Sequence, residues 1–314
     1  MIRVAVLGIG KMGKNHLRIL NMLKNVKIEK IFDVDEEALS QVSKQYGVSY
    51  TADINVAVAG VDAVLIVTPT STHFDYFKAC VGHVKNIFIE KPLAANYADG
   101  IKITELAKEH DIFIQCGFIE RFNPVVSELK NILKNEVVIN SDFTRTNRLS
   151  SRITDVDVVL DLMIHDIDLA LFLNGKVEEI FAFGKKENGL VSFASALLRH
   201  KSGALSRILA SRMTEKKMRS ITVTTDTSFI DAELVRKEIV LHKQSEIIQT
   251  EGQPYVISSL EQQVEVKQQE ALLTELQVFI EACNKNYHPD IPTVQDGLES
   301  LRISEIILGQ INND

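Results

Sequence analysis

"IRVAVLGIGKMGKNHLRIL", residues 2–20, decides the fold. A short apolar run ends in glycines, and a segment of helical periodicity starts at once. Gly8, Gly10 and Gly13 fall between them in the spacing G-x-G-x-x-G. In such a turn the first glycine permits the tight bend, the second lets the backbone approach a pyrophosphate, and the third lets helix and strand pack closely. The helix N-terminus then offers free N–H groups to the anion. Three glycines alone are weak evidence, so the context matters. A second apolar run, "VKIEKIF" (26–32), leads directly into Asp33, whose carboxylate is placed to bind the hydroxyl pair of an adenosine ribose. A carboxylate there repels a 2′-phosphate, and "VDEEA" (34–38) holds no basic residue to welcome one, so NAD is favoured over NADP.

Further along, "VDAVLIVTPT", "KNIFIEKP" and "DIFIQCGF" are apolar strands with helical stretches around 72–82 and 96–109 between them. Strands alternating with helices imply βαβ units and a doubly wound parallel sheet, a Rossmann domain over 1–120. After residue 120 the rhythm changes. A helix near 122–134 and a strand near 136–146 precede an apolar helical segment, and five or six strand-like runs follow between 177 and 243. Helical patterns at about 263–285 and 293–312 close the chain. Residues 121–314 are expected to form an α+β domain with an open, largely antiparallel sheet, serving substrate binding and oligomerisation. An open sheet face is an aggregation hazard unless it pairs, so a homodimer or homotetramer through that sheet is expected.

The composition is that of an ordinary globular protein: 314 residues, 45% hydrophobic and 25% charged. A net charge of −7 argues against nucleic-acid binding and against an acidic membrane surface. No apolar run reaches the ~18 residues of a membrane span. Cys80, Cys116 and Cys283 lie far apart with no zinc spacing, which suggests reduced thiols in a cytoplasmic protein.

Two motifs carry chemistry. "FIEKPLA" puts Glu90, Lys91 and Pro92 at the C-terminal end of a strand, the edge where open α/β sheets bind ligands. "VLDLMIHDIDLALF" (159–172) is an apolar segment bearing acids and a histidine. On one continuous helix Asp157, Asp161, His165 and Asp168 fall within about 80° of each other. Buried carboxylates are costly unless partnered, so this seam needs partners. Oxidation of a secondary alcohol needs a group to take the hydroxyl proton and charge to stabilise the developing alkoxide. His165 suits the proton, Lys91 the charge, and Asp161 the orientation of substrate or histidine. Two other readings of the seam stand beside this one: a satisfied core histidine with capped carboxylates, and a metal site, which would need a further ligand from elsewhere. No metal is expected. "RTNRLSSR" (145–152) gathers Arg145, Arg148 and Arg152 without an acid, which fits either a diphosphate site or a solvated basic loop. Arg121 and Asn123 follow the last Rossmann strand; they line the substrate side, or Arg121 braces the interdomain joint.

"GIGKMG", "EKP" at 90–92 and D-x3-H at 161–165, in this order, resemble the Gfo/Idh/MocA oxidoreductases over nearly the whole chain. "TPTSTH" (68–73) resembles that family's cofactor-side loop. The resemblance implies NAD(P)-dependent chemistry at a sugar, cyclitol or related hydroxyl, with Lys91, Asp161 and His165 as the catalytic set. It implies cofactor contacts from Gly8, Ile9, Gly10, Lys11, Met12, Gly13, Asp33, Thr68, Pro69, Thr70, His73, Glu90 and Lys91. "GFIERFNP" (117–124) and "SRITDVDVVLDLMIHDIDL" (151–169) are similar to a bacterial branch acting on UDP-N-acetylglucosamine at the 3-hydroxyl, which would give Arg121, Asn123, Arg145, Arg148 and Arg152 a small-molecule substrate to hold. A dehydrogenase of a free sugar or inositol is the competing enzyme reading; it leaves the arginines without a use. A non-catalytic NAD-binding regulator is the other, and it has no need of the proton-transfer set.

Overall fold

Ala63, Val64, Leu65 and Ile66 have no exposed surface, which shows how the first sheet is built. Its inner strands are covered on both faces, as parallel strands with helical crossovers must be. The computed structural model describes residues 1–147, 156–243, 247–248, 256–257 and 260–313. The chain begins β1 (Ile2–Leu7), α1 (Lys11–Leu20), β2 (Val26–Phe32), α2 (Glu36–Tyr46), β3 (Ser49–Thr51), α3 (Ile54–Val58), β4 (Ala63–Ile66), α4 (His73–Cys80), β5 (Asn86–Glu90), α5 (Tyr97–Glu109) and β6 (Phe113–Gly117). These six strands pair in parallel in the order β3-β2-β1-β4-β5-β6. The order reverses between β1 and β4, which opens a crevice at the carboxyl ends of the strands. Local chemistry sets the helix ends. Asp35 accepts the Ala38 N–H to start α2, and Gly47, at φ 66°, ends it.

The chain continues with α6 (Pro124–Leu133), β7 (Val138–Thr146), a π-helical turn at Val159–Met163, α7 (Ile164–Asn174), β8 (Val177–Glu187), β9 (Leu190–His200), β10 (Leu205–Ser211), β11 (Met218–Thr225), β12 (Ser228–Glu233) and β13 (Glu238–Lys243). A two-residue pair, β14 (Ile247–Ile248) and β15 (Val256–Ile257), stands apart, and β16 (Leu260–Val264) adds an edge strand. The larger sheet runs β16-β13-β12-β11-β7-β10-β9-β8. It is antiparallel except where β10 lies parallel to β7. Helices α6 and α7 cover one face, and Phe181, Phe183, Leu197 and Leu205 are exposed hydrophobics of its strands.

Helices α8 (Ala271–Cys283) and α9 (Val294–Asn313) complete the chain. Residues 270–305 group with residues 1–122, while 123–269 and the chain from 306 onward form the second unit. The segment 270–305, assigned above to the second domain, thus belongs with the first unit. Leu272, Leu276, Phe279 and Ile280 of α8 share one core with Val4, Val6, Leu17, Leu20 and Phe88. The helical pattern expected from 263 begins only at Ala271, because 260–264 is drawn into the sheet as β16.

A buried ion pair ties α7 to its sheet. Arg145 of β7 donates from Nε and Nη2 to the two oxygens of Asp166, both at 2.8 Å. Only 2% and 4% of these side chains are exposed, so removing one partner strands a buried charge. Arg145→Leu is expected to lower the unfolding free energy by about 3–5 kcal/mol in urea titration, and Arg145→Leu with Asp166→Leu to recover most of it. A single variant as stable as the parent would show that the pair contributes nothing.

Candidate functional site

The glycine turn does what its spacing requires. Gly8 sits at φ 91°, and a Cβ there would lie 2.5 Å from the Val67 carbonyl oxygen. A Cβ on Gly13 would come within 2.0 Å of the Gly8 oxygen, so α1 is packed directly against the turn. Gly10, the N-cap of α1, has nothing within 4 Å of its Cβ position. Any side chain there would project into a cleft of about 540 Å³ lined by Gly8, Gly10, Lys11, Met12, Asp33 and Lys91 among others. Bare backbone at a helix N-terminus, facing open volume, fits a pyrophosphate.

Asp33 is held at the end of β2 by three backbone donors. Ile9 N–H reaches one oxygen at 2.8 Å, and Val34 and Asp35 N–H reach the other at 2.7 and 3.1 Å. The carboxylate is thereby locked to the glycine turn and retains acceptor capacity for ribose hydroxyls. Asp33→Ala is expected to weaken NAD binding and to narrow its advantage over NADP in fluorescence titration. Tighter NADP binding by the unaltered protein would overturn this reading of Asp33.

Of the other expected cofactor contacts, Thr68, Pro69 and Glu90 also line the cleft. Ile9, Gly13, Thr70 and His73 do not; Ile9 serves through its N–H. His73 is 1% exposed and braces two loops, its ring nitrogens lying 2.9 Å from the Pro92 oxygen and 3.0 Å from the Thr68 oxygen. Burial pushes its imidazole below the ordinary value. Phe32, Val34, Val67, Thr72 and Tyr76 complete the lining and were missed in the sequence. The Phe32 and Tyr76 rings meet edge to face at 5.3 Å, a contact that two apolar positions so far apart in sequence do not announce.

The second unit holds the acidic helix, and here the single seam divides. Ile164 N–H bonds back to the Val159 oxygen, five residues earlier, so the π turn breaks the regular 100° step. Such turns are frequent at functional sites. Asp157 lies ahead of the turn and accepts the Val191 N–H at 2.6 Å. Asp161 accepts from Arg212 Nη2 at 2.9 Å, and Arg212 also donates to the Val156 oxygen. His165 is half-buried, and Asp168 is wholly buried. Arg212, itself 5% exposed, is the partner the seam required; it stands 51 residues from Asp161, and no local pattern links them.

Three of the expected substrate residues have partners within their own units. Arg145 is not on a basic loop but in β7, where it pairs with Asp166. Arg121 is buried and pairs with Asp296 at 3.1 Å within the first unit. Asn123 caps α6 by accepting the Val125 N–H, and its amide donates to the Leu234 oxygen. Arg148 and Arg152 lie outside the described residues. Among the described residues no group of three or more metal-binding side chains occurs, and no helix is long and apolar enough to cross a membrane.

A doubly wound sheet whose crevice presents a bare glycine turn, a ribose-binding carboxylate and a lysine defines a dinucleotide-dependent oxidoreductase. Residues 2–118 match the model of an oxidoreductase family with an NAD-binding Rossmann fold, and residues 136–230 match the GFO/IDH/MocA C-terminal domain. The chain belongs to this Gfo/Idh/MocA family, and its cofactor is NAD. It is 32% identical over 229 residues to a myo-inositol 2-dehydrogenase of Thermotoga maritima, covering 67% of this chain and 69% of that protein. A UDP-N-acetylglucosamine 3-dehydrogenase of Acidithiobacillus ferrooxidans is 24% identical over 308 residues, covering 96% and 94%. Its solved structure superposes with a TM-score of 0.89 at 22% identity, covering 99% of this chain and 98% of that one. A scyllo-inositol 2-dehydrogenase (NAD(+)) of Bacillus subtilis is 27% identical over 323 residues, covering 96% and 92%.

Proposed function

We propose that the protein oxidises a secondary hydroxyl of a sugar, and that the substrate is UDP-N-acetylglucosamine, converted at its 3-position to a 3-keto sugar. The observation that carries the dehydrogenase reading is Lys91, in a cleft that also presents Asp33 and the bare Gly10 backbone. NAD, when bound, supplies the acceptor for the hydride leaving the hydroxyl-bearing carbon. Gly8, Gly10 and the α1 N-terminus hold its pyrophosphate, and Asp33 its ribose. His165 takes the hydroxyl proton as the C–H electron pair departs, leaving a C=O bond. Lys91 stabilises the negative charge that gathers on that oxygen. Asp161, fixed by Arg212, orients the histidine or the sugar.

The nucleotide-sugar reading draws support from the match to the UDP-N-acetylglucosamine dehydrogenase, which runs through both units, and from Arg148 and Arg152 just ahead of the acidic helix. These two arginines are proposed to anchor the diphosphate. A second reading, an inositol dehydrogenase, is favoured by the 32% identity to the Thermotoga protein. NADH formation measured with UDP-N-acetylglucosamine, free N-acetylglucosamine, myo-inositol and scyllo-inositol separates them. UDP-N-acetylglucosamine is expected to give the highest kcat/KM, and Arg148→Ala or Arg152→Ala to raise its KM about 10- to 100-fold with kcat little changed. An inositol that outperforms it would replace the nucleotide-sugar assignment with the second reading.

A further inference from the structure

Beside the NAD cleft the first unit buries a group of polar side chains that the chemistry above leaves unused. His16 of α1 has no exposed surface, and its ring meets Phe88 edge to face at 5.2 Å. Its Nε2 lies 2.7 Å from Glu90 Oε1, while Nδ1 is buried with no hydrogen-bond partner. The ring therefore has one polar tie, and that tie is Glu90. The other Glu90 oxygen, Oε2, accepts the backbone N–H of Lys91 at 3.2 Å. On the far side stands Glu275 of α8, fully buried with neither carboxyl oxygen hydrogen-bonded. Gln115 of β6 donates to the Glu275 backbone oxygen, and Glu120, 6% exposed, completes the acidic group.

The surroundings push the Glu90 and Glu275 carboxyls in opposite directions. Burial, and behind it the charges of Glu90 and Glu120, push the Glu275 carboxyl well above the usual carboxylate range. Burial acts on Glu90 in the same direction. There the His16 hydrogen bond and charge, with the charge and N–H of Lys91, outweigh it and hold the carboxyl below its ordinary value. His73, on which the Glu90 charge acts, and Glu120 also belong to these surroundings.

We propose that His16 is a positioning residue for the dehydrogenation, fixing the Glu90 carboxylate against Lys91 so that a negative charge stays beside the lysine. The inference rests on the role given to Lys91 above. A buried histidine whose only hydrogen-bond partner among the described residues is the carboxylate adjoining the reactive lysine is costly packing unless that carboxylate must be held.

Lys91 labelling by an amine-specific acylating reagent tests this without any substrate, since only the uncharged amine reacts. At neutral pH, peptide mass spectrometry is expected to show labelling of Lys91 about 3- to 10-fold faster in His16→Leu and in Glu90→Gln, which release or remove the carboxylate held against it. In His16→Gln, whose amide can still donate to Glu90, the rate should return to the parent's. In the turnover assay His16→Leu should lose about tenfold in kcat with the KM for NAD little changed. Unchanged labelling in folded His16→Leu and Glu90→Gln overturns the proposal, as does labelling in His16→Gln as fast as in His16→Leu. Should His16→Leu not fold, Glu90→Gln decides alone. A parent protein that oxidises none of the hydroxyl compounds removes the dehydrogenase reading instead, and the labelling rates still judge His16.

Discussion

Lys91→Ala is expected to lower kcat at least ~10²-fold while NADH binding, followed by fluorescence, stays within a few-fold of the parent's. The lysine directly follows β5 at the carboxyl edge of the parallel sheet, in the same cleft as Asp33 and the glycine turn. On the proposed mechanism its charge meets no oxyanion until hydride begins to leave, so the contact exists chiefly in the transition state. Loss of such a contact lowers kcat and kcat/KM together, and a hundredfold is worth about 2.7 kcal/mol. Lys91→Arg should recover little, because a planar guanidinium cannot stand in for a compact ammonium at one developing oxyanion. Turnover near the parent's rate in the alanine variant would place the reacting hydroxyl elsewhere.

His165→Asn should lose about 10²–10⁴ in kcat, the range for a positioned proton acceptor. Asparagine keeps much of the shape on the first turn of α7 and removes the proton-accepting ring. Added imidazole should restore part of the rate if the missing function is proton transfer. The half-buried setting of His165 leaves it within reach of a substrate, whereas Asp166 and Asp168 on either side of Ile167 are buried. A variant that keeps the parent's kcat would give His165 a purely structural role.

How much of this was legible in the sequence depended on distance along the chain. The glycine turn, Asp33 and Lys91 were readable because each sits at a strand end, where βαβ order dictates position. The π turn was not: a periodicity argument assumes a constant step, and one extra residue per turn shifts everything before it. Nor were the partners of buried charge. Arg145 reads as part of a basic cluster until β7 is seen to carry it inward to Asp166, 21 residues away. His73 reads as a cofactor contact until both ring nitrogens are found spanning the Thr68 and Pro92 carbonyls. Hydrophobic patterning says which residues go inside; it does not say which buried donor meets which acceptor.

The membership of α8 in the first unit has a consequence for biosynthesis. Leu272, Leu276, Phe279 and Ile280 cover the same core as Val4, Val6 and Leu17, yet residues 123–269 are made in between. At 5–20 residues per second a ribosome spends roughly 7–30 seconds on that interval. Throughout it the nascent dinucleotide-binding sheet has its strand order but lacks one of its covering helices. Helix α8 therefore acts as a late closure, and the portion made first is among the last to be finished.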